Sequence, residues 1–317
     1  MISFPKDVGG AHERSKSHLR HTPLEHSPYL SNLIDGDVYL KLDNIQKTGS
    51  FKFRGAISKM TALTDEQKSK GVVTASTGNH GAACSLAMSI LGIKGKIVVP
   101  ENVHKNKVEN ILNLGGEVEY FGNDCINAEE RAQEISNTTG ATYISPYNDP
   151  DIICGQGTMG VEIWNDLATV DLVIISVGGG GLISGVGGYL KSMNENVSMV
   201  GVSPQNSCVM YESLKAGVQL DLPSEDTLSD GTAGGVEMGS ITFELCQNII
   251  DNFVLISEDE IADGIRMGLE KHHQLIEGAA GAAIAGFMKQ KDKLNGQTVV
   301  IVICGGNISY EVLKSIL

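Results

Sequence analysis

The sequence predicts an α/β fold of open, mostly parallel sheets flanked by helices, and three observations predict it. Short β-branched runs alternate with helix-patterned segments along the chain. Most of these runs are apolar on both faces, as strands covered by helices on each side must be. Glycine- or asparagine-rich segments follow several runs, where parallel sheets carry their ligand loops. With 317 residues, and roughly 150 per domain, the chain should form about two domains sharing a cleft.

Strands are expected at Asp37–Leu42, Val72–Ala75, Lys96–Val99, Glu117–Phe121, Thr142–Ser145, Leu172–Val177, Met199–Val202, Phe253–Ile256 and Val299–Cys304, bounded by Gly, Asn or Asp. Helical patterns fall between them, among them Ala82–Leu91, Lys105–Leu114, Ala128–Thr138, Met159–Leu167 and Glu258–Ile276. Segments Ser76–Gly81, Gly178–Gly181, Ser203–Ser207 and Gly305–Asn307 each follow a strand, and Lys47–Gly55 lies a short loop beyond one. Several special loops at strand ends imply one composite small-molecule site.

Composition narrows the function. A net charge of −14 and a pI near 5.0 repel a phosphate backbone, which argues against a nucleic-acid partner. The six cysteines form no CxxC pair and no metal-ligand spacing, so no metal is expected, and they read as reduced thiols of a cytoplasmic protein. No stretch has the length and apolarity of a signal peptide or a membrane helix, so no membrane partner is expected.

Four segments could carry chemistry. In SVGGGGLISG, four consecutive glycines precede a helix, at a cost in backbone entropy that makes sense where N–H groups must wrap an anion. The plainer reading is a flexible turn with close helix–strand packing. Neither GxGxxG nor GK[ST] fits. In KLDNIQKTGSFKFRGA, Lys52 lies between Phe51 and Phe53; desolvation there would favour its neutral, nucleophilic form. An ordinary solvated lysine is the competing reading, and Lys47 and Arg54 compete as basic residues. In ASTGNHGAA, a turn opening a helix offers N–H donors and short side chains to a carboxylate, or is a plain N-cap. Cys304 ends an apolar strand and is either a small core residue or a hydrogen-bond partner for a ring nitrogen.

Taken in order, HTPLEHSPYLS, SFKFRGA, ASTGNHG, GQGTMGVEI, VGGGGLISG, IEGAAGAAIAG and CGGNIS resemble the fold-type II pyridoxal-phosphate (PLP) enzymes, in the serine/threonine dehydratase and serine racemase group. The resemblance covers nearly the whole chain. It implies a tryptophan synthase β-like fold, with residues 1–70 and 149–317 as a larger PLP-binding domain and 71–148 as a smaller, mobile, substrate-gripping domain. It implies Lys52 as the Schiff-base lysine and Phe51 beside the cofactor ring. Asn79 would bond the ring 3′-hydroxyl, and Gly178, Gly179, Gly180, Gly181 and Leu182 would form the phosphate cup. Cys304 would face the pyridine nitrogen, and Glu277 would orient groups near the imine or be stabilised as a helix N-terminal carboxylate. Ser76, Thr77, Gly78, Asn79 and His80 would grip the substrate carboxylate. Tyr147 stands where threonine dehydratases carry an aromatic, and Thr77 where serine racemase has a second catalytic hydroxyl.

The implied reaction removes water and then ammonia from a small β-hydroxy amino acid. Lys52 takes the Cα proton and PLP serves as the electron sink. Racemisation is the alternative. IEGAAGAAIAG departs from the familiar EPSGA form and resembles dehydratase-like enzymes of hydroxyectoine breakdown, which leaves 3-hydroxyaspartate, phenylserine or a hydroxyectoine-derived amino acid open as substrates. The cation-site positions of some relatives correspond to Ser203, Ser207 and Val209, so that site is expected to be absent. No regulatory C-terminal domain and no isoleucine feedback are expected, and a homodimer is expected by resemblance.

Overall fold

The computed structural model describes residues 2–103 and 105–317; of the domain ranges above, Met1 and His104 lie outside the described residues. Among the described residues, ten strands form two sheets. Their spans are β1 Leu24–His26, β2 Asp37–Leu42, β3 Val72–Ala75, β4 Gly95–Val99, β5 Glu117–Tyr120, β6 Thr142–Tyr143, β7 Leu172–Ser176, β8 Ser198–Pro204, β9 Asn252–Ile256 and β10 Thr298–Ile303. The larger sheet has the order β1-β2-β10-β7-β8-β9, with only β1 antiparallel. The smaller sheet, β5-β4-β3-β6, is parallel throughout. The central strands β7 and β10 are buried along almost their whole length, which is why their sequences read as unbroken apolar runs.

Each predicted strand is present. The three-residue β1 was not anticipated, because LEH is too short for an alternating pattern to register. The helix Phe4–Ser15 was not anticipated either, because its buried face consists only of Val8, Ala11 and Ser15. The segment expected as one helix to Ile276 stops at His272: His273 takes φ 55° as a left-handed cap, and a separate helix runs Gly278–Gln290. The helix expected from Met159 begins at Pro150, where the Asp149 carboxylate accepts from the N–H groups of Asp151 and Ile152. Glycines within it hide the period and let neighbours close in. A Cβ on Gly155 would lie 2.7 Å from the Arg54 carbonyl oxygen.

One hydrophobic core surrounds the larger sheet. A second lies on one face of the smaller sheet and takes in Phe53, Ala56, Ile57 and Met60 from the helix Lys52–Ala62, while Val73 and Val98 on the other face pack with Ala128, Ala132 and Ala141. That helix thus begins at the end of the larger sheet and packs its apolar side into the smaller body. The first residue of the helix, Lys52, sits at the joint.

Candidate active site

Strands β3, β4, β7 and β10 bring their carboxyl ends to one cleft of about 1630 Å³, the position where parallel sheets bind small molecules. Lys52, Phe51, the 76–80 turn, Tyr147, Gly178–Leu182, Glu277 and Cys304 all line it.

The Lys52 turn is tied to β10. The Phe51 N–H donates to the Cys304 carbonyl at 2.9 Å, and Ser50 forms a bridge with Gly305. The Lys52 ammonium donates to the Pro146 carbonyl at 2.9 Å and lies 5.2 Å from the centre of the Phe51 ring. Desolvation pushes its pKa down to about 8, against the pull of Cys84, Cys304 and Glu277. An appreciable neutral fraction therefore exists near physiological pH. The competing basic residues are placed elsewhere: Lys47 lies over the Phe53 ring, and Arg54 is locked in a buried ion network.

The four glycines serve two physical needs. A Cβ on Gly178 would strike the Thr232 backbone at 2.7 Å, one on Gly179 the Tyr147 ring at 2.4 Å, and one on Gly180 the Cys246 sulfur at 2.7 Å. Gly180 also has φ 82°, which favours glycine. Close packing is thus part of the explanation. The other part is electrostatic. Among the described residues, the N–H groups of Gly178, Gly179, Gly180, Gly181 and Leu182 find no protein acceptor. They converge at the start of the helix Gly181–Met193, an arrangement that attracts an anion.

The 76–80 turn repeats this logic. Gly78 N–H donates to Ser76 Oγ, while the N–H groups of Thr77, Asn79 and His80 find no acceptor among the described residues. The His80 ring is committed to the Ile144 carbonyl at 3.0 Å, and burial pushes its pKa down to about 3. It stays neutral, and its free donor at the turn is the backbone N–H. The Tyr147 ring covers Gly179 while its Cβ and backbone pack against Gly181, and its hydroxyl accepts from Glu237 N–H at 2.7 Å.

Burial pushes the Cys304 thiol up, so it is neutral, and its sulfur is 3.6 Å from Ser176 Oγ. Glu277 is almost wholly buried. Desolvation pushes its pKa up to about 7, partly offset by Asn79, Asn307 and Lys52. Asn79 Nδ2 donates to Glu277 at 2.9 and 3.1 Å, and Asn307 N–H donates to it at 3.0 Å.

Sequence reasoning passed over Asn307, Thr232 and Ser176 as site residues. Asn307 was visible only as the end of a glycine segment. Thr232 lies in SDGTAGG, whose glycines were a usable signal that went unread.

A desolvated amine and a glycine anion nest in one cleft between parallel sheets are features of an enzyme site for a small phosphorylated group. The chain belongs to the pyridoxal-phosphate dependent enzymes, whose family model matches residues 16–305. PLP is accordingly its cofactor. The residues fit it: an amine to meet the aldehyde, five free N–H donors to meet the phosphate and a neutral thiol at the foot of the cleft. The chain is 41% identical over 317 residues to L-threonine ammonia-lyase of Thermotoga maritima, covering 100% of this chain and 78% of that protein. Among solved structures it resembles the processed form of threonine deaminase isoform 2 from Solanum lycopersicum, with a TM-score of 0.93, 34% identity, and 99% and 91% of the two chains covered. It also resembles maize serine racemase, with a TM-score of 0.92, 30% identity and 98% and 95% covered.

Proposed function

We propose that this chain is an ammonia-lyase acting on small β-hydroxy amino acids, L-threonine or L-serine first, and releasing a 2-oxo acid and ammonia. The observation that carries the reading is the desolvated Lys52 amine, which shares a cleft with two sets of unpaired backbone N–H donors. The names of the relatives support the reaction class. PLP, when bound, supplies the electron sink for the carbanion formed at Cα.

The rest is done by the chain. Lys52 would hold the cofactor and, as a neutral amine, would take the Cα proton. Phe51 would lie against the ring, Gly178–Leu182 would hold the phosphate and Asn79 would meet the 3′-oxygen. Ser76–His80 bind the substrate carboxylate with backbone N–H groups and the Ser76 and Thr77 hydroxyls. Tyr147 walls the cleft over the glycine loop. A neutral Cys304 thiol would leave the ring nitrogen without a counter-ion and so would favour elimination over transamination. Water is lost from Cα and Cβ, and one water is regained as the enamine hydrolyses, so the net products are the oxo acid and ammonia.

We assign residues 71–148 as the mobile, substrate-gripping body, closing on the rest. Ser203 Oγ donates to the Val177 carbonyl, while Ser207 Oγ accepts from Ser224 and from Gly234 N–H, so these positions already have partners and turnover should need no divalent cation. We further propose a cytoplasmic homodimer. Among the described residues no helix is long and apolar enough to cross a membrane.

The test is a screen of L-serine, L-threonine, 3-hydroxyaspartate and phenylserine for keto-acid release, with and without added cations. Racemisation is the second reading, favoured by Thr77: its hydroxyl lines the cleft and makes no hydrogen bond among the described residues. Loss of optical rotation without keto acid would replace the first reading by the second.

A further inference from the structure

We propose that Asn307 is a positioning residue that fixes which end of the Asn79 amide faces Glu277 and the cleft. The inference rests on the reading above, in which Asn79 meets the cofactor 3′-oxygen.

A side-chain amide can rotate by a half-turn and exchange its oxygen for its nitrogen at little intrinsic cost, so its direction is decided by its partners. The chain of partners here starts at a group with no choice. The Thr48 backbone carbonyl can only accept, and Asn307 Nδ2 donates to it at 2.9 Å. That sets the Asn307 amide. The same Nδ2 donates to Asn79 Oδ1 at 2.7 Å, so Asn79 must present oxygen on this side. Asn79 Nδ2 is thereby turned to the Glu277 carboxylate, at 2.9 and 3.1 Å. Asn307 acts on Glu277 a second time, through its own backbone N–H at 3.0 Å.

On one side the backbone packs close to the Asn307 side chain, which is otherwise exposed. Gly306 N–H donates to the Gly49 carbonyl at 2.9 Å, and a Cβ on Gly49 would lie 2.5 Å from Asn307 Oδ1. A Cβ on Gly305 would lie 2.4 Å from a Glu277 oxygen. Three strand-end loops therefore pack around one amide pair. Asn79 belongs to the smaller body and Asn307 to the larger, so the pair also spans the joint.

Asn307→Asp keeps the shape and the backbone N–H but removes both side-chain donors. A carboxylate there faces the Thr48 carbonyl, and within the fold it gains a donor when Asn79 reverses and donates to it. Asn79 then presents oxygen to Glu277 and no longer presents N–H to the 3′-oxygen. Both changes disfavour negative charge at those atoms. Asn307→Ala removes the director without adding charge.

The experiment is a pH titration of the bound cofactor's absorption bands in the holoenzyme and both variants, after borohydride reduction and peptide mapping of the native protein. The expected midpoints rise in the order native, Asn307→Ala, Asn307→Asp, with the Asp variant displaced by about one pH unit or more. Midpoints of all three proteins within a few tenths of a unit overturn the proposal, since a merely structural role would not move the titration in this order. If Asn307→Asp does not fold, the Ala variant decides alone by the same criterion. Label on a lysine other than Lys52 overturns the reading of the site itself, and that result is seen before any variant is compared.

Discussion

Replacing Arg54 with Met should destabilise the protein by several kcal/mol, and by less as the pH falls. The Arg54 guanidinium is fully buried. It donates in pairs to Asp43, at 2.7 and 2.8 Å, and to Glu162, at 2.7 and 2.8 Å, and singly to Thr158 at 3.3 Å and Thr22 at 3.1 Å. Lys41 Nζ completes the cluster at 2.6 Å from Glu162, so two cations balance two carboxylates. Met fills similar space but leaves two buried carboxylates facing one ammonium. Breaking a buried pair from one side costs about 3 to 5 kcal/mol, against a typical total stability of 5 to 15. With a urea slope near 3 kcal/mol/M, the midpoint should fall by about 1 to 1.7 M. The pH dependence identifies the cause. In the native protein burial would raise the Glu162 pKa, but Arg54 and Lys41 outweigh it and hold it down to about 2, below the ordinary 4.5. Its contribution is full above the ordinary value and is lost as the pH falls toward the folded one. Without Arg54 the folded carboxylate titrates above its unfolded value, and protonation relieves the variant. The native–variant gap should therefore narrow between pH 8 and pH 5. Urea midpoints at both pH values provide the assay; a gap under about 1 kcal/mol, or one independent of pH, refutes the reasoning.

Three further outcomes are expected. The rate at which the apoprotein forms its imine with added PLP should rise with pH with a midpoint near pH 8, because burial lowers the Lys52 pKa to about that value and the neutral fraction grows as pH passes it. A stopped-flow midpoint near the ordinary 10.5 would contradict this, and Lys52→Ala should show no imine band at all. Gly179→Ala should weaken cofactor affinity at least tenfold with only a modest loss of thermal stability. The new methyl would lie 2.4 Å from a Tyr147 ring that the Glu237 N–H bond holds in place, so the loop must give way. Unchanged affinity in fluorescence titration counts against the anion-nest assignment. Cys304→Asp should increase transamination side products per turnover, because a carboxylate supports a protonated ring nitrogen; an unchanged product partition rules out the role given to the thiol.

Most of the fold was legible in the sequence because a parallel strand buried on both faces needs an apolar run, and β7 and β10 read that way residue by residue. The loops were legible for the same reason that they are costly. Four glycines in a row at Gly178–Gly181 require a reason, and the structure supplies two, packing against Thr232, Tyr147 and Cys246 and a line of free donors. Partners across the fold were not legible. Nothing in SFKFRG distinguishes Arg54, which is sealed among Asp43 and Glu162, from Lys52, which lies in the cleft, since the partners come from segments 11 and 108 residues away. The direction of His80 was equally hidden. Its ring turns to the Ile144 carbonyl, contributed by the strand-end region 64 residues later, so only its N–H stays at the turn.

The tie between Lys52 and β10 explains why the reactive lysine can be both exposed to the cleft and reproducibly placed. A lysine at a helix start has four side-chain rotors, and its amine would normally sample a large volume. Here its neighbour Phe51 donates to the carbonyl of Cys304, and Glu277 N–H donates to the carbonyl of Gly305. The amine, the thiol and the carboxylate are therefore all indexed to consecutive peptide units at the end of one fully buried strand. A shift of β10 would move all three together and preserve their mutual geometry. The smaller sheet's side reaches this cluster at two points, the Pro146 carbonyl, which accepts from Lys52 Nζ, and the Asn79 amide, which bonds Glu277 and Asn307. Any displacement of residues 71–148 against β10 would have to break the Lys52–Pro146 and Asn79–Glu277 bonds, while the ties of Phe51 and Glu277 to the end of β10 would stay in place and keep the lysine, thiol and carboxylate in register.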